Sequence, residues 1–246
     1  MPRKSPCPPQ LSPVLRSVIL TGMLFLFMIV SATAQTRKQP LPGQRAIVID
    51  DRLSAVREKP DVRAPIRQRL GRGRVIGVAS AGARWHQVYV SRRTRGWILA
   101  DAIARSGRAA DAARLLQLIE TIPDEFQRAR LARMCATEFR HTATAPKALL
   151  LLGQAAAAAG ERLTRDARRR MGDAGRDNAR LPRREFMLSF AGLDRWNRAG
   201  ITFSYDAAAD RIVYDGAAYR DLQRHYPRSA EARQAAELQQ AATRRE

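Results

Sequence analysis

The sequence has few thiols, lysines, histidines, aromatics and acids, and each shortage excludes something. Of its two cysteines, Cys7 lies before the N-terminal apolar run and Cys135 far after it. A chain processed after that run keeps Cys135 alone, so it holds no internal disulfide. Cys135 sits in "LARMCATEF", a helical pattern, which makes it a small core residue and not a nucleophile beside a base. The three histidines, His86, His141 and His225, have no H-E-x-x-H or similar helical spacing. No metal site, no cofactor and no catalytic residue is expected. Aromatics make up 6% of residues, so the core must rest on Leu, Ile, Val and Ala. "GRGR" lacks a phosphate-cradling glycine pattern, and Gly71-Arg72-Gly73 suits a β-turn.

Acids number 23 against 44 basic residues, a formal net charge of +21, and lysine occurs only at Lys4, Lys38, Lys59 and Lys147. GC-rich coding accounts for arginine replacing lysine but not for the missing acids. The surplus creates a field that attracts polyanions.

The N-terminus reads as an export signal over 1–34. Arg3, Lys4 and Arg16 form a basic region, and "SVILTGMLFLFMIV" is an apolar run of 14 residues, short for a membrane span. Ala32-Thr33-Ala34 then offers a small-x-small cleavage site, placing the mature start at Gln35. The alternative is an uncleaved anchor in the inner membrane. Either way the rest of the chain is expected outside the cytoplasm, in the periplasm or beyond. Residues 35–44, with two prolines and a glycine, read as a linker.

From Arg45 the pattern turns strand-like. "AIVID" and "RVIGVA" are apolar runs, "WHQVYV" alternates with Trp85, Gln87 and Tyr89 on one side, and "RGWIL" follows the basic turn "SRRTR". Short strands between Gly- and Pro-containing turns predict a small barrel over 45–104, folding independently. Within it Gly96 allows close chain approach. Trp97 fills the barrel or lies on its rim, and Trp85 and Trp97 are placed in the core in preference to a ligand platform. Beyond Ser106 the period becomes helical. Leu115, Leu118, Ile119 and Ile122 share a stripe ended by Pro123; Phe126, Ala129, Ala132, Cys135 and Phe139 form the next. Thr144 caps a long alanine-rich helix in which Gly153 and Gly160 either weaken it or permit close contact. Arg176–Arg184 reads as a polar break and "EFMLSFAGLDRWNRA" as one short helix. "ITFSYDAAADRIVYDG" reads as a hairpin near 201–214. Two helices close the chain, the first stopped by Pro227 and the second capped by Ser229.

Leu53, Val56-Arg57, Pro60, Leu70-Gly71-Arg72-Gly73, Trp85, Val88 and Gly96-Trp97-Ile98 occur in an order that resembles bacterial SH3-like domains over Arg52–Ile103. Ala55 stands where that family usually has Asn, and Arg93 or Thr94 where it has the first Gly of the final turn. "YRDLQRHYPRSAEARQAAEL" resembles the join between tetratricopeptide-like repeats, in one copy. The resemblances imply an α+β multidomain protein: a small SH3-like β-barrel over 45–104, then a mainly α-helical, tetratricopeptide-like domain over 105–246 with one hairpin. SH3-like domains in exported proteins often accompany cell-wall hydrolases, but the missing catalytic motifs and the basic surface favour an exported, non-enzymatic envelope adaptor. The alternative is an accessory or unrecognised cell-wall-modifying enzyme.

The basic surface supplies the candidate site. Arg67, Arg69, Arg72, Arg74, Arg92, Arg93 and Arg95 crowd the barrel's turns. Of these Arg92, Arg93 and Arg95, beside Trp85, Tyr89 and Trp97, form the candidate binding set, because guanidinium forks suit carboxylate or phosphate and aromatics orient peptide or sugar. Arg162, Arg165, Arg168, Arg169 and Arg170 form a second basic patch with several members on one helix face. The bland alternative for both is a solvated, GC-biased surface. The expected partners are cell-wall peptide or glycan, an anionic envelope polymer, anionic lipid or a protein. Nucleic acid fits the charge but not the export signal, and no aromatic-interleaved basic motif supports base stacking. An uncleaved N-terminal segment would add membrane contact.

Overall fold

Short alternating segments build the first half of the fold. The computed structural model describes residues 41–173, 182–189 and 191–243. Strands β1 (Gln44–Val48), β2 (Ala55–Arg57), β3 (Ile66–Arg69), β4 (Val75–Ala81), β5 (Trp85–Tyr89), β6 (Arg95–Leu99) and β7 (Ile103–Arg105) form one sheet. A 3-10 turn, Ala100–Ala102, joins the last two. The pairing is antiparallel in the order β3-β2-β6-β5-β4-β1-β7. Its edge strands, β3 and β7, are not paired with each other, so the hydrogen-bonded ladder stays open. Val56 from one end of that order and Ile103 from the other nevertheless share one core with Val48, Ile76, Val88 and Ile98. The sheet therefore curls around a common interior. The three- and four-residue strands β2, β3 and β7 were too short to register as periodic segments in the sequence.

The helices are α1 (Ala109–Thr121), α2 (Glu125–Glu138), α3 (Ala145–Asp173), α4 (Arg183–Leu188), α5 (Ala191–Arg198), α6 (Ala217–His225) and α7 (Ala230–Thr243). Strands β8 (Phe203–Asp206) and β9 (Arg211–Tyr214) form the hairpin. Caps are local and chemical: the Asp124 side chain accepts from Gln127 N–H at 2.7 Å, and Ser229 Oγ accepts from Ala232 N–H at 3.1 Å. The 29-residue α3 is the axis on which α2, α4, α6, α7 and β9 pack. Its alanines present almost no bulk, and at two positions even a methyl group is too much. A Cβ on Gly153 would collide with the Tyr219 ring, and one on Gly160 would lie 2.9 Å from the Ile212 carbonyl oxygen. Thr164 completes the seam, accepting from Ile212 N–H at 2.8 Å.

Three sequence expectations need correction. "EFMLSFAGLDRWNRA" is two helices, because α4 ends at Leu188 and α5 starts at Ala191. The polar break over Arg176–Arg184 gives way to helix at Arg183; its part at 176–181 lies outside the described residues, as do the signal segment 1–34 and the linker to residue 40. Linker residues 41–43 pack on the sheet: a Cβ on Gly43, whose φ is +86°, would collide with the Val78 carbonyl.

Sheet and helices share a core. Ile47, Ile49 and Ala104 point away from the sheet's interior into the helical cluster containing Leu115, Ile119 and Leu131. Polar contacts reinforce the join. Arg45 Nε donates to both Glu138 carboxylate oxygens at 2.9 and 3.0 Å, and Ser106 Oγ donates to Glu138 at 2.9 Å. Arg130 donates to the Gly73 carbonyl at 3.1 Å. Asp111, buried at the start of α1, accepts from Arg105 N–H at 3.0 Å.

Candidate functional site

The β5–β6 hairpin positions the sequence-nominated residues, and alternation decides which face each one takes. His86, Val88, Val90, Gly96 and Ile98 are buried, whereas Trp85, Gln87, Tyr89 and Trp97 are half-buried on the opposite face. The register sets Gln87 across from Trp97 and Tyr89 across from Arg95. Trp85 and Trp97 thus lie outside the sheet's interior cluster, which corrects their assignment to the core. The reason is parity: in each strand the β-branched residues and the indoles fall on opposite faces, and the curled sheet encloses the branched set.

Ser91 shapes the basic turn. Its Oγ accepts from Thr94 N–H at 3.0 Å and Arg93 N–H at 3.3 Å, while Val90 N–H donates to the Thr94 carbonyl at 3.0 Å. Arg92, Arg93 and Arg95 are exposed, and among the described residues their guanidinium groups have no hydrogen-bond or ion-pair partner. Gly96 is required behind the turn, since a Cβ there would sit 2.7 Å from the Arg57 carbonyl oxygen. That close approach brings in a residue not nominated from sequence. Arg57 pairs across from Trp97 and donates to the Ala64 carbonyl at 2.6 Å. Its strand is three residues long and shows no period; only the Val-Arg step of the SH3-like pattern marked it. Arg67 donates to the Arg95 carbonyl at 3.0 Å, tying β3 to the same end. The result is a face of three partly exposed aromatics edged by unpaired guanidinium groups, able to receive carboxylates or phosphates on an extended chain.

The second basic patch is different. Arg162 holds Glu125 at 2.5 Å, Arg169 pairs with Asp166, and Arg168 donates to the Asp210 carbonyl at 2.9 Å. Arg170 lies over the Phe186 ring, 5.5 Å from its centroid. Arg165 alone of the five is exposed without a partner among the described residues. Spacing placed these residues together, but the fold uses three of them, Arg162, Arg168 and Arg170, to fasten α3 to its neighbours, and Arg169 pairs within α3. Nearby, Asp210 at the hairpin turn takes a bidentate contact from Arg183 and accepts from Tyr205 Oη at 2.7 Å. The Arg183 guanidinium holds its carboxyl down at about 2.

Cys135 is fully buried in the helical core, and burial pushes its thiol up to about 12. His86 is buried too, with Nδ1 accepting from Gly82 N–H at 3.2 Å; desolvation lowers its pKa and favours the neutral ring. No group of three or more His, Cys, Asp or Glu side chains placed to hold a metal occurs among the described residues. No helix among them is long and apolar enough to cross a membrane. Comparison of the chain with known protein families, with curated proteins and with solved structures gives no match.

Proposed function

We propose that the protein is an exported, non-enzymatic adaptor of the cell envelope that holds an anionic wall polymer on the outer face of its sheet. In this reading the sheet is an SH3-like recognition module and the helices are a tetratricopeptide-like scaffold. The single observation that carries it is the juxtaposition of Trp85, Tyr89 and Trp97 with the unpartnered Arg92, Arg93 and Arg95. An open antiparallel sheet curled about one core, and the α6–α7 helical hairpin, support the two fold assignments. Aromatic faces half out of water lose little on meeting a sugar or peptide, and guanidinium groups without internal partners have no bond to give up. The net charge of +21 adds long-range attraction.

The test is a pulldown on isolated cell wall over a range of salt, run beside a turnover assay on the same material. Changing Arg92, Arg93 and Arg95 together to Gln should weaken binding, flatten its salt dependence and leave thermal stability nearly unchanged. Unchanged affinity with an unchanged salt slope would reduce the turn to a solvated loop. Turnover abolished by changing one C-terminal polar residue would replace the adaptor reading with the wall-modifying enzyme.

A further inference from the structure

A cleft of about 620 Å³ opens in the helical half, between α2, the start of α3 and α6. It is remote in sequence from the aromatic face, and its argument is independent of that face. Its apolar part is made by Leu149, Leu152, Ile201 and Tyr214. Its polar rim carries two arginines, Arg133 and Arg140, against a single carboxylate, Asp221.

The two arginines are held differently. Arg133 Nη1 donates to the Ala199 carbonyl at 2.8 Å and also to the Gly200 carbonyl. Gly200 has a φ of +71°, and a Cβ there would collide with the Arg133 guanidinium. Arg133 is thus a wall of the cleft. Arg140 donates through Nε to His141 Nε2 at 3.0 Å, and its backbone carbonyl accepts from Tyr226 Oη at 2.6 Å. Its two Nη groups have no partner among the described residues, so a pair of parallel donors remains at the rim. The Tyr214 hydroxyl is used internally, accepting from Ala218 N–H at 2.8 Å. The floor is mainly ring carbon and aliphatic surface, with the Tyr214 O–H, which accepts from Ala218 but still has its own proton to donate, as its one polar group.

We infer that this cleft binds a small amphipathic anion, with an apolar chain against Leu149, Leu152 and Tyr214 and one carboxylate or phosphate on the Arg140 guanidinium. A planar guanidinium with two free parallel N–H groups matches either headgroup bidentately, and such charge-assisted bonds are about twice as strong as neutral ones. An apolar body with a few placed polar contacts is the usual composition of a small-molecule site. A polyanion does not fit, because Asp221 faces the rim and repels a second negative group.

Calorimetric titration of the full chain with octanoate, octyl phosphate, octanol and inorganic phosphate tests this. At least one of the two anionic octyl compounds should bind about tenfold or more tightly than octanol. Whichever of the two binds more tightly names the headgroup. Inorganic phosphate should bind far more weakly than either. Arg140→Gln, at an exposed side chain, should reduce the anion to octanol's affinity while octanol itself is unchanged. Ala217→Trp, which fills the cleft, should abolish all octyl binding; Asp221→Asn should strengthen the anion. Equal binding of octanol and both anions overturns the inference. So does octyl-anion binding that survives both Arg140→Gln and Ala217→Trp, and so does the absence of octyl binding in the unaltered chain. Wall binding through the sheet face should be indifferent to all three substitutions, so failure of either proposal is read separately.

Discussion

At the scale of single residues, the three tryptophans illustrate how little residue type says about role. Trp196 is fully buried and lies in a chain of edge-to-face rings: Phe126 at 5.0 Å, then Phe203 at 5.4 Å, with Tyr214 and Tyr219 continuing at 6.1 and 6.3 Å. Trp97 is half-buried on the sheet's outer face. Large-to-small substitution in a packed core costs transfer energy plus a residual cavity. Trp196→Ala should therefore destabilise by about 3–5 kcal/mol. Trp97→Ala, expected from sequence to cost as much if the indole were core, should cost under about 2 kcal/mol because only part of its surface leaves water. Denaturant titration of the two variants checks the order; an equal loss would return Trp97 to a structural role and remove it from the binding face.

At the scale of elements, α3 is the instructive case. An alanine-rich helix with interior glycines reads as weak by propensity, since each glycine costs about 1 kcal/mol relative to alanine. On an exposed helix Gly153→Ala would recover that amount. Here the added methyl must enter the space of the Tyr219 ring, and the resulting overpacking reverses the sign. Gly153→Ala should destabilise by about 1–3 kcal/mol. The loss should shrink in a Tyr219→Leu background, where the ring is gone. Thermal unfolding of the two singles and the double variant measures the coupling; a stabilised Gly153→Ala would mean that α6 can move away from α3 without penalty. The short α4 shows the opposite dependence: six residues are too few to be stable alone, and Arg183 on Asp210 with buried Phe186 and Met187 fastens it.

At the scale of the whole molecule, the decisive feature is that β1 has two buried faces. Ala46 and Val48 enter the sheet's interior, and Ile47 enters the helical core. Arg45–Glu138–Ser106 closes the polar edge of the same junction. Excising the sheet would expose Ile47, Ile49 and Ala104 and leave Glu138 without Arg45. Sheet and helices should therefore unfold in one transition. Helical ellipticity and the fluorescence of Trp85 and Trp97, followed in a Trp196→Phe background, should give coincident melting curves. A sheet signal persisting after the helices melt would restore the independently folding unit expected from sequence.

The sequence alone determined what depends on local periodicity and local chemistry. The alternation of β5, the basic turn before β6, the hairpin around "DAAAD", the stripes of α1 and α2, the stop at Pro227 and the Ser229 cap were all legible there. Each arises from a few neighbouring residues whose backbone preferences and side-chain spacing act together. Strands β2, β3 and β7 were not: "AVR" and "IAR" are too short to show a period, and "IRQR" carries a single apolar residue. Tertiary structure decided everything that requires choosing between equivalent faces or distant partners. Alternation separates Trp85 and Tyr89 from Val88 and Val90 but does not say which set is enclosed; the curl of the sheet does. Spacing groups Arg162 with Arg168, Arg169 and Arg170 but does not say which meet a carboxylate; the positions of Glu125, Asp166 and Asp210 do. The cleft beside Arg140 draws on residues from 133 to 226, a span over which no sequence pattern reports contact. A local signal survives in one dimension, whereas burial and pairing are properties of the packed chain, where one residue's environment is set by others far along the sequence.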